Sequence, residues 1–315
     1  MKSDEMKKKI IAVAGPTASG KTALSIALAK KIGGEIISCD SMQIYRGMNI
    51  GTAKPTEKEK EGVPHHLIDI VDPCESFSAA DYAALAKEKI DEIYSRGNTP
   101  IFCGGTGLYL ESVVRPTAYE ASDPEPEYRA ELFELAAREG GAHILHGMLR
   151  KVDPESADSI HENNVKRVIR ALEIYRSAGV PKSSLDAKSK NAESEYDVRA
   201  FCLRFADRDT LYDRINRRVD AMVAAGLLDE VRRLYESGML KSSYTAAQAI
   251  GYKEFISCLE GRMSLDDAIE SLKRATRRYA KRQMTWFSAR DYIKFIDMDG
   301  KDAETALAEI CEMIK

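Results

Sequence analysis

The sequence predicts an α/β fold with a parallel sheet at its core, a helical insertion and a helical C-terminal region. Three observations predict it. A continuous apolar run, Ile10-Ile11-Ala12-Val13-Ala14, leads through a glycine-bearing turn straight into a helix-forming stretch. Strand and helix patterns then alternate as far as residue 103, which is the rhythm of a doubly wound sheet. After Arg115 the pattern changes to helix following helix.

In chain order, residues 10–14 offer no polar side chain to solvent, as expected for a strand buried on both faces. Residues 22–31 are good helix formers closed by Gly33-Gly34. A second strand over 35–39 ends at Asp40, and 67–71 reads as a short third strand. A helix over 79–96 stops at Gly97, and a fourth strand over 100–103 breaks at Gly104-Gly105-Thr106-Gly107. Residues 116–127, rich in proline and acid, read as a solvated crossing. From 128 to 200 helices are separated at 140–141, 153–154 and 179–181, and the polar stretch 182–194 reads as a mobile loop. A strand over 198–205 returns to the sheet, and residues from 209 onward read as nearly all helix. The expected organisation is a core of residues 1–115 and 198–315, with 116–197 as a helical insertion.

The 315 residues, 44% hydrophobic with a net charge of −3, suit an ordinary globular protein. No apolar run approaches the ~18 residues of a membrane span. The charged start, with only a short apolar run behind it, does not fit a secretory signal. Six scattered cysteines without a C-x-x-C pair point to free thiols and a cytoplasmic location. A monomer is expected. The balanced charge does not exclude RNA, because residues 199–290 carry 18 basic against 12 acidic side chains.

Most of the chemistry lies in Gly15-Pro16-Thr17-Ala18-Ser19-Gly20-Lys21-Thr22, which fits the phosphate-loop pattern G-x-x-x-x-G-K-[ST]. The glycines let successive backbone N–H groups point at phosphate oxygens, Lys21 adds a point charge, and Thr22 can ligate Mg²⁺. A strand before the loop and a helix after it give a core like that of the P-loop NTPases. Residues 66–72 lack the second acid of a motor ATPase, so group transfer is favoured over NTP hydrolysis, with nucleotide (ATP) binding left open. Asp40 leaves the second strand at the edge where open α/β sheets place ligands. It reads equally as a general base or as a turn cap or metal ligand. Thr106, in the glycine loop after the next strand, reads as a hydroxyl donor or as part of a structural turn. The His65-His66 pair alone makes no metal site.

The stretch Asp40-Ser41-Met42-Gln43-Ile44-Tyr45-Arg46-Gly47-Met48-Asn49-Ile50-Gly51-Thr52-Ala53-Lys54-Pro55, with the phosphate loop, resembles the tRNA dimethylallyltransferases (tRNA isopentenyltransferases). Pro64-His65-His66-Leu67-Ile68-Asp69, Gly104-Gly105-Thr106-Gly107-Leu108-Tyr109, Gln248-Ala249-Ile250-Gly251-Tyr252-Lys253-Glu254 and Lys281-Arg282-Gln283-Met284-Thr285-Trp286-Phe287 are similar to further motifs of that family. So is the segment 161–173, where Glu162 and Asn164 depart from the family's Pro and Asp; Ser288 stands where the family usually has Arg. The resemblance spans about residues 10–290.

It implies transfer of a dimethylallyl group from dimethylallyl diphosphate to N6 of adenine 37 in the tRNA anticodon stem-loop. It also implies Asp40 as base, with Thr106 and Arg218 beside the diphosphate, the spacing favouring Arg218 over Arg217. Thr17, Lys21 and Thr22 would hold the diphosphate with Mg²⁺. The tRNA contacts it implies are Asp40 to Gln43, Thr106, Arg129, Lys166, Arg167, Val168, Ile169, Arg170, Gln248, Gly251, Tyr252, Lys253, Lys281, Arg282, Gln283, Thr285 and Trp286. Trp286 and Tyr252 are candidate stacking faces, against core packing for Trp286. Arg274, Arg277, Arg278, Lys281 and Arg282 recur at helical spacing, as a phosphate-binding or merely solvated face. Competing readings are prenylation of free adenine nucleotides, a small-molecule kinase, and a nucleotide-dependent RNA-binding module.

Overall fold

The computed structural model describes residues 7–115, 125–241 and 244–314. The first six residues and most of the proline- and acid-rich crossing (116–124) lie outside the described residues. The chain divides into two compact units, one of Met1–Val113 with Glu195–Lys315 and one of Val114–Ser194. The helical unit thus ends before the returning strand starts at Tyr196.

The larger unit begins with β1 (Lys8–Ala14), whose last five residues are all buried. Burying each large aliphatic side chain there is worth about 1.5–3 kcal/mol, which is why so short a run commits to the centre of the sheet. Helix α1 (Lys21–Ile32) follows, closed by a left-handed Gly33 that donates back to the Ala29 carbonyl. Next come β2 (Gly34–Ser38), α2 (Glu57–Lys60), β3 (His65–His66), α3 (Ala79–Ser95), β4 (Thr99–Gly104) and α4 (Gly107–Val114). Helix α3 starts on a capping box in which Ser78 and Asp81 satisfy each other's backbone N–H groups.

The helical unit contains α5 (Pro126–Ala137), α6 (Gly141–Val152), α7 (Pro154–Ser159), α8 (Val165–Ala178) and α9 (Lys182–Asn191). They pack on a core that includes Leu132, Leu145, Leu149, Val168, Ile169 and Leu172. The chain then re-enters the sheet as β5 (Tyr196–Arg204) and continues through α10 (Arg208–Ala224), α11 (Leu227–Glu236), α12 (Tyr252–Leu259), α13 (Leu265–Ser288), β6 (Ile293–Asp297) and α14 (Ala303–Met313).

The strands form one parallel sheet in the order β3-β2-β4-β1-β5-β6. All carboxyl ends therefore share one edge, and the loops after β2, β4 and β1 leave from three adjacent strands. This places Asp40, Thr106 and the phosphate loop side by side.

Three expectations need correction. The third strand is 65–66, not 67–71, because Leu67 and Asp69 are left-handed (φ 59° and 56°) and end the ladder. The polar segment 182–194 is not a loop over its first part but helix α9, with Asp153 accepting hydrogen bonds from the Ser183 N–H and hydroxyl at 3.0 and 2.6 Å. The C-terminal region, expected to be nearly all helix, also contributes a strand, since β6 pairs in parallel with β5 at the sheet's edge. Among the described residues no helix is long and apolar enough to cross a membrane.

Candidate active site

The phosphate loop curls over the start of α1. Gly20, at φ 91°, takes a left-handed conformation that a side chain would resist. Thr17, Lys21 and Thr22 line a cleft of about 270 Å³, together with Ser38, Asp40 to Gln43 and Gly104 from the neighbouring strand ends. Arg218 lines the same cleft from α10, whereas Arg217 is exposed and paired with Asp213 at 2.5 Å. Of the two arginines, Arg218 is the one that lines this cleft.

Helices α10 and α13 supply an apolar wall, in which Ile215, Val219, Met222 and Leu272 face the polar loops across the cleft. The α10 residues 215, 218, 219 and 222 recur three and four apart, so one helix face presents hydrocarbon and a guanidinium together. Motif reading missed this wall. The helical spacing around Arg218 is the signal that would have found it.

The electrostatics favour an anion. Lys21's pKa is lowered, first by burial and then by the charge of Arg218, with Asp40 opposing the shift. Arg218 is likewise lowered by burial, with Asp40 and Glu59 acting in the other direction. Two cations brought together out of water gain most from a multiply charged ligand.

A diphosphate in the cleft raises the Lys21 pKa, so ligand and proton bind together. Affinity for inorganic diphosphate should therefore fall as pH rises through the lowered Lys21 value, before the ordinary lysine range is reached. Calorimetry across pH checks this. Lys21→Met should bind about 10–100-fold more weakly and lack that limb. An affinity in the native protein that stays flat up to the ordinary lysine range would contradict the account.

Asp40 caps the turn after β2 and also lines the cleft. Its Oδ1 accepts the N–H groups of Met42 and Gln43 at 2.9 and 3.4 Å, which caps the turn. Among the described residues its Oδ2 accepts no hydrogen bond, leaving one oxygen of the carboxylate for a ligand. Thr106 Oγ1 accepts the Ser41 N–H at 2.9 Å, tying the two strand-end loops together. Tyr279, a cleft residue on α13 that motif reading missed, lies near the Thr106 side chain. Its phenol is pushed up to about 12 by burial and, secondarily, by Asp40.

The remaining sequence candidates separate clearly. In the helical unit Lys166, Arg167 and Arg170 are exposed on α8, while Val168 and Ile169 are buried in its core and cannot reach RNA. Arg129 is exposed and paired with Glu173 at 2.8 Å. In the larger unit Gln248, Lys253, Lys281, Arg282 and Thr285 are exposed.

Tyr252 is 0% exposed and donates its hydroxyl to Glu230 at 2.7 Å, so its ring is no stacking face. Gly251 is buried too, its N–H held by Glu254. Trp286 lies over Gly107, where a Cβ would stand 2.2 Å from its ring, and the Arg290 guanidinium sits 4.0 Å from the ring centre. Its packing reading is the one the structure supports. Gln43 spends its amide on the Thr52 and Ala53 carbonyls and accepts the Ser38 hydroxyl. Gln283 is buried as well. In the basic run Arg277 is bonded to Asn216, whereas Arg274, Arg278 and Lys281 make no ion pair among the described residues.

The two histidines diverge. His66 Nε2 bonds Glu35, and His65 Nδ1 bonds the Val63 carbonyl. Among the described residues no group of three or more His, Cys, Asp or Glu side chains could hold a metal ion. The oxygen chemistry still suits Mg²⁺, which needs only one or two protein oxygens beside substrate phosphates. Thr22, which lines the cleft, offers one.

The family model for IPP transferase matches residues 43–290. The chain belongs to the IPP transferase family. It is 51% identical over 293 residues to a tRNA dimethylallyltransferase of Geobacillus thermodenitrificans, covering 93% of this chain and 91% of that protein. A protein of the same name from Bacillus subtilis is 50% identical over 292 residues, with coverage of 93% and 91%. The crystal structure of a full-length tRNA isopentenylpyrophosphate transferase from Bacillus halodurans superposes with a TM-score of 0.73 at 47% identity, covering 98% of this chain and 96% of that one. A eukaryotic dimethylallyltransferase studied in action on tRNA gives 0.81 at 31% identity, covering 98% and 79%. Membership fits the parallel core and the phosphate loop found here.

Proposed function

We propose that this protein transfers a dimethylallyl group from dimethylallyl diphosphate to N6 of adenine 37 in the tRNA anticodon stem-loop. The observation that carries this reading is one cleft holding Asp40, the phosphate loop and Arg218 against an apolar wall. The diphosphate lies on the loop's N–H groups, Lys21 and Arg218, with the five-carbon tail along Ile215, Val219 and Met222. The exocyclic amine of adenine is a weak nucleophile because its lone pair is delocalised into the ring. As the N6–C1 bond forms, Asp40 takes the N6 proton and the C1–O bond breaks, its electron pair leaving on the diphosphate. Thr22 would hold Mg²⁺, which when bound supplies charge neutralisation on the leaving oxygens.

Adenine 37 must leave its stack to enter such a cleft. Exposed Arg129, Lys166, Arg167 and Arg170 in the helical unit, and Gln248, Lys253, Lys281, Arg282 and Thr285 in the larger unit, are the proposed RNA contacts. Affinity for tRNA should then fall about tenfold or more between 50 and 200 mM salt, as counterions are displaced. Filter binding checks this, and salt-independent binding would count against those contacts. Action as a monomer in the cytoplasm belongs to the same reading; six free cysteines support the location.

The test is incubation with labelled dimethylallyl diphosphate and either tRNA or AMP. Label is expected in tRNA. Label in AMP alone would favour a free-nucleotide transferase, and ATP-dependent phosphorylation with no prenyl transfer would favour a kinase.

A further inference from the structure

Gln283 lies on α13 at 5% exposure, between the two loops that meet at the cleft. Its Oε1 accepts the Thr17 N–H at 3.0 Å, and its Nε2 donates to the Gly105 carbonyl at 2.9 Å. One primary amide thus bridges the phosphate loop and the glycine loop. No carboxylate could do the same, since it has no N–H to donate. Gly105 leaves the room: a Cβ there would stand 2.0 Å from Nε2. Trp286, on the same helix face as Gln283, packs over Gly107. Lys281, Arg282 and Thr285 are exposed. Gln283 itself is therefore docked on the loops and largely closed to solvent.

We propose that Gln283 is a positioning residue for the diphosphate and not an RNA contact. It sets the spacing between the two loops, and so the place of Thr17 and Gly104, which both line the cleft. This rests on the transferase reading above. The buried amide holds loops whose alignment the ligand would otherwise have to impose, so its loss appears as weakened diphosphate binding.

The experiment compares the native protein with Gln283→Leu and Gln283→Glu. Calorimetry with Mg²⁺ and inorganic diphosphate, filter binding with tRNA, and KM and kcat for prenyl transfer are read together. Gln283→Leu, which removes the bridge without adding charge, is expected to raise the diphosphate Kd and the KM for dimethylallyl diphosphate about tenfold. Its Kd for tRNA should change less than about twofold. Gln283→Glu keeps the shape and the acceptor but adds charge, and should raise both diphosphate values more than Gln283→Leu does. If Gln283→Leu does not fold, the Glu variant decides the matter by the same split between diphosphate and tRNA.

Unchanged diphosphate binding would overturn the proposal, whether accompanied by weaker tRNA binding or only by a lower melting temperature. A native protein that binds diphosphate but transfers nothing to tRNA would refute the transferase reading while leaving the diphosphate comparison decisive for Gln283.

Discussion

Asp40→Asn should lower kcat for prenyl transfer by about 10²–10⁴-fold, the range expected for loss of a general base. Asparagine is the informative substitution because it keeps the Oδ1 acceptor that holds the Met42 and Gln43 N–H groups. The turn and the cleft survive, and only proton acceptance is lost. Asp40→Ala would also remove the turn's hydrogen bonds and so mix two effects. Removing the Asp40 charge near Lys21 and Arg218 leaves those cations less compensated, so the diphosphate Kd should stay level or fall. Affinity for tRNA should be retained. Single-turnover kinetics with the two binding constants check the split, and near-native kcat in Asp40→Asn would refute the base assignment.

Glu230→Ala should destabilise the protein by about 3–5 kcal/mol, as several hydrogen bonds to one charged acceptor, about 1.5–3 kcal/mol each, are lost together. The Glu230 carboxylate, 1% exposed on α11, accepts the N–H groups of Asn49, Ile50 and Gly51 at 2.8–3.0 Å and the Tyr252 hydroxyl at 2.7 Å. Without it three backbone donors and the buried Tyr252 hydroxyl lose their partner at once. The segment they belong to carries Gly51 and Thr52 into the cleft, so the same change should raise KM at temperatures where the protein stays folded. Urea unfolding of Glu230→Ala measures the first effect, and a loss below about 1 kcal/mol would contradict the role given to this carboxylate.

Legibility in the sequence followed how local each feature is. The phosphate loop occupies eight consecutive residues, and its strand and helix neighbours are contiguous with it, so its position at the sheet edge could be read directly. Asp40 and Thr106 were legible because parallel strands bring their carboxyl ends to one edge. Strand β6 was not, since Ile293-Lys294-Phe295-Ile296-Asp297 is a short edge strand whose partner lies ninety residues away. The third strand was misplaced because the apolar pattern of 67–71 says nothing of the left-handed turns at Leu67 and Asp69. Helix α9 has almost no apolar periodicity, and its start is held by Asp153 from the junction of α6 and α7. Contiguous motifs also do not say which side chains face inward: Val168, Ile169, Tyr252 and Gln283 each sit beside exposed polar residues yet are buried. The apolar wall is only partly local: Ile215, Val219 and Met222 share one face of α10, while Leu272 joins them from α13.

The most direct test of the account is to treat tRNA with the protein and labelled dimethylallyl diphosphate, digest it to nucleosides and identify the labelled one. N6-isopentenyladenosine from position 37, formed in equal amount with released diphosphate and absent when Asp40→Asn replaces the native protein, is the predicted result. Label on any other nucleoside, or equal product from Asp40→Asn, would contradict it.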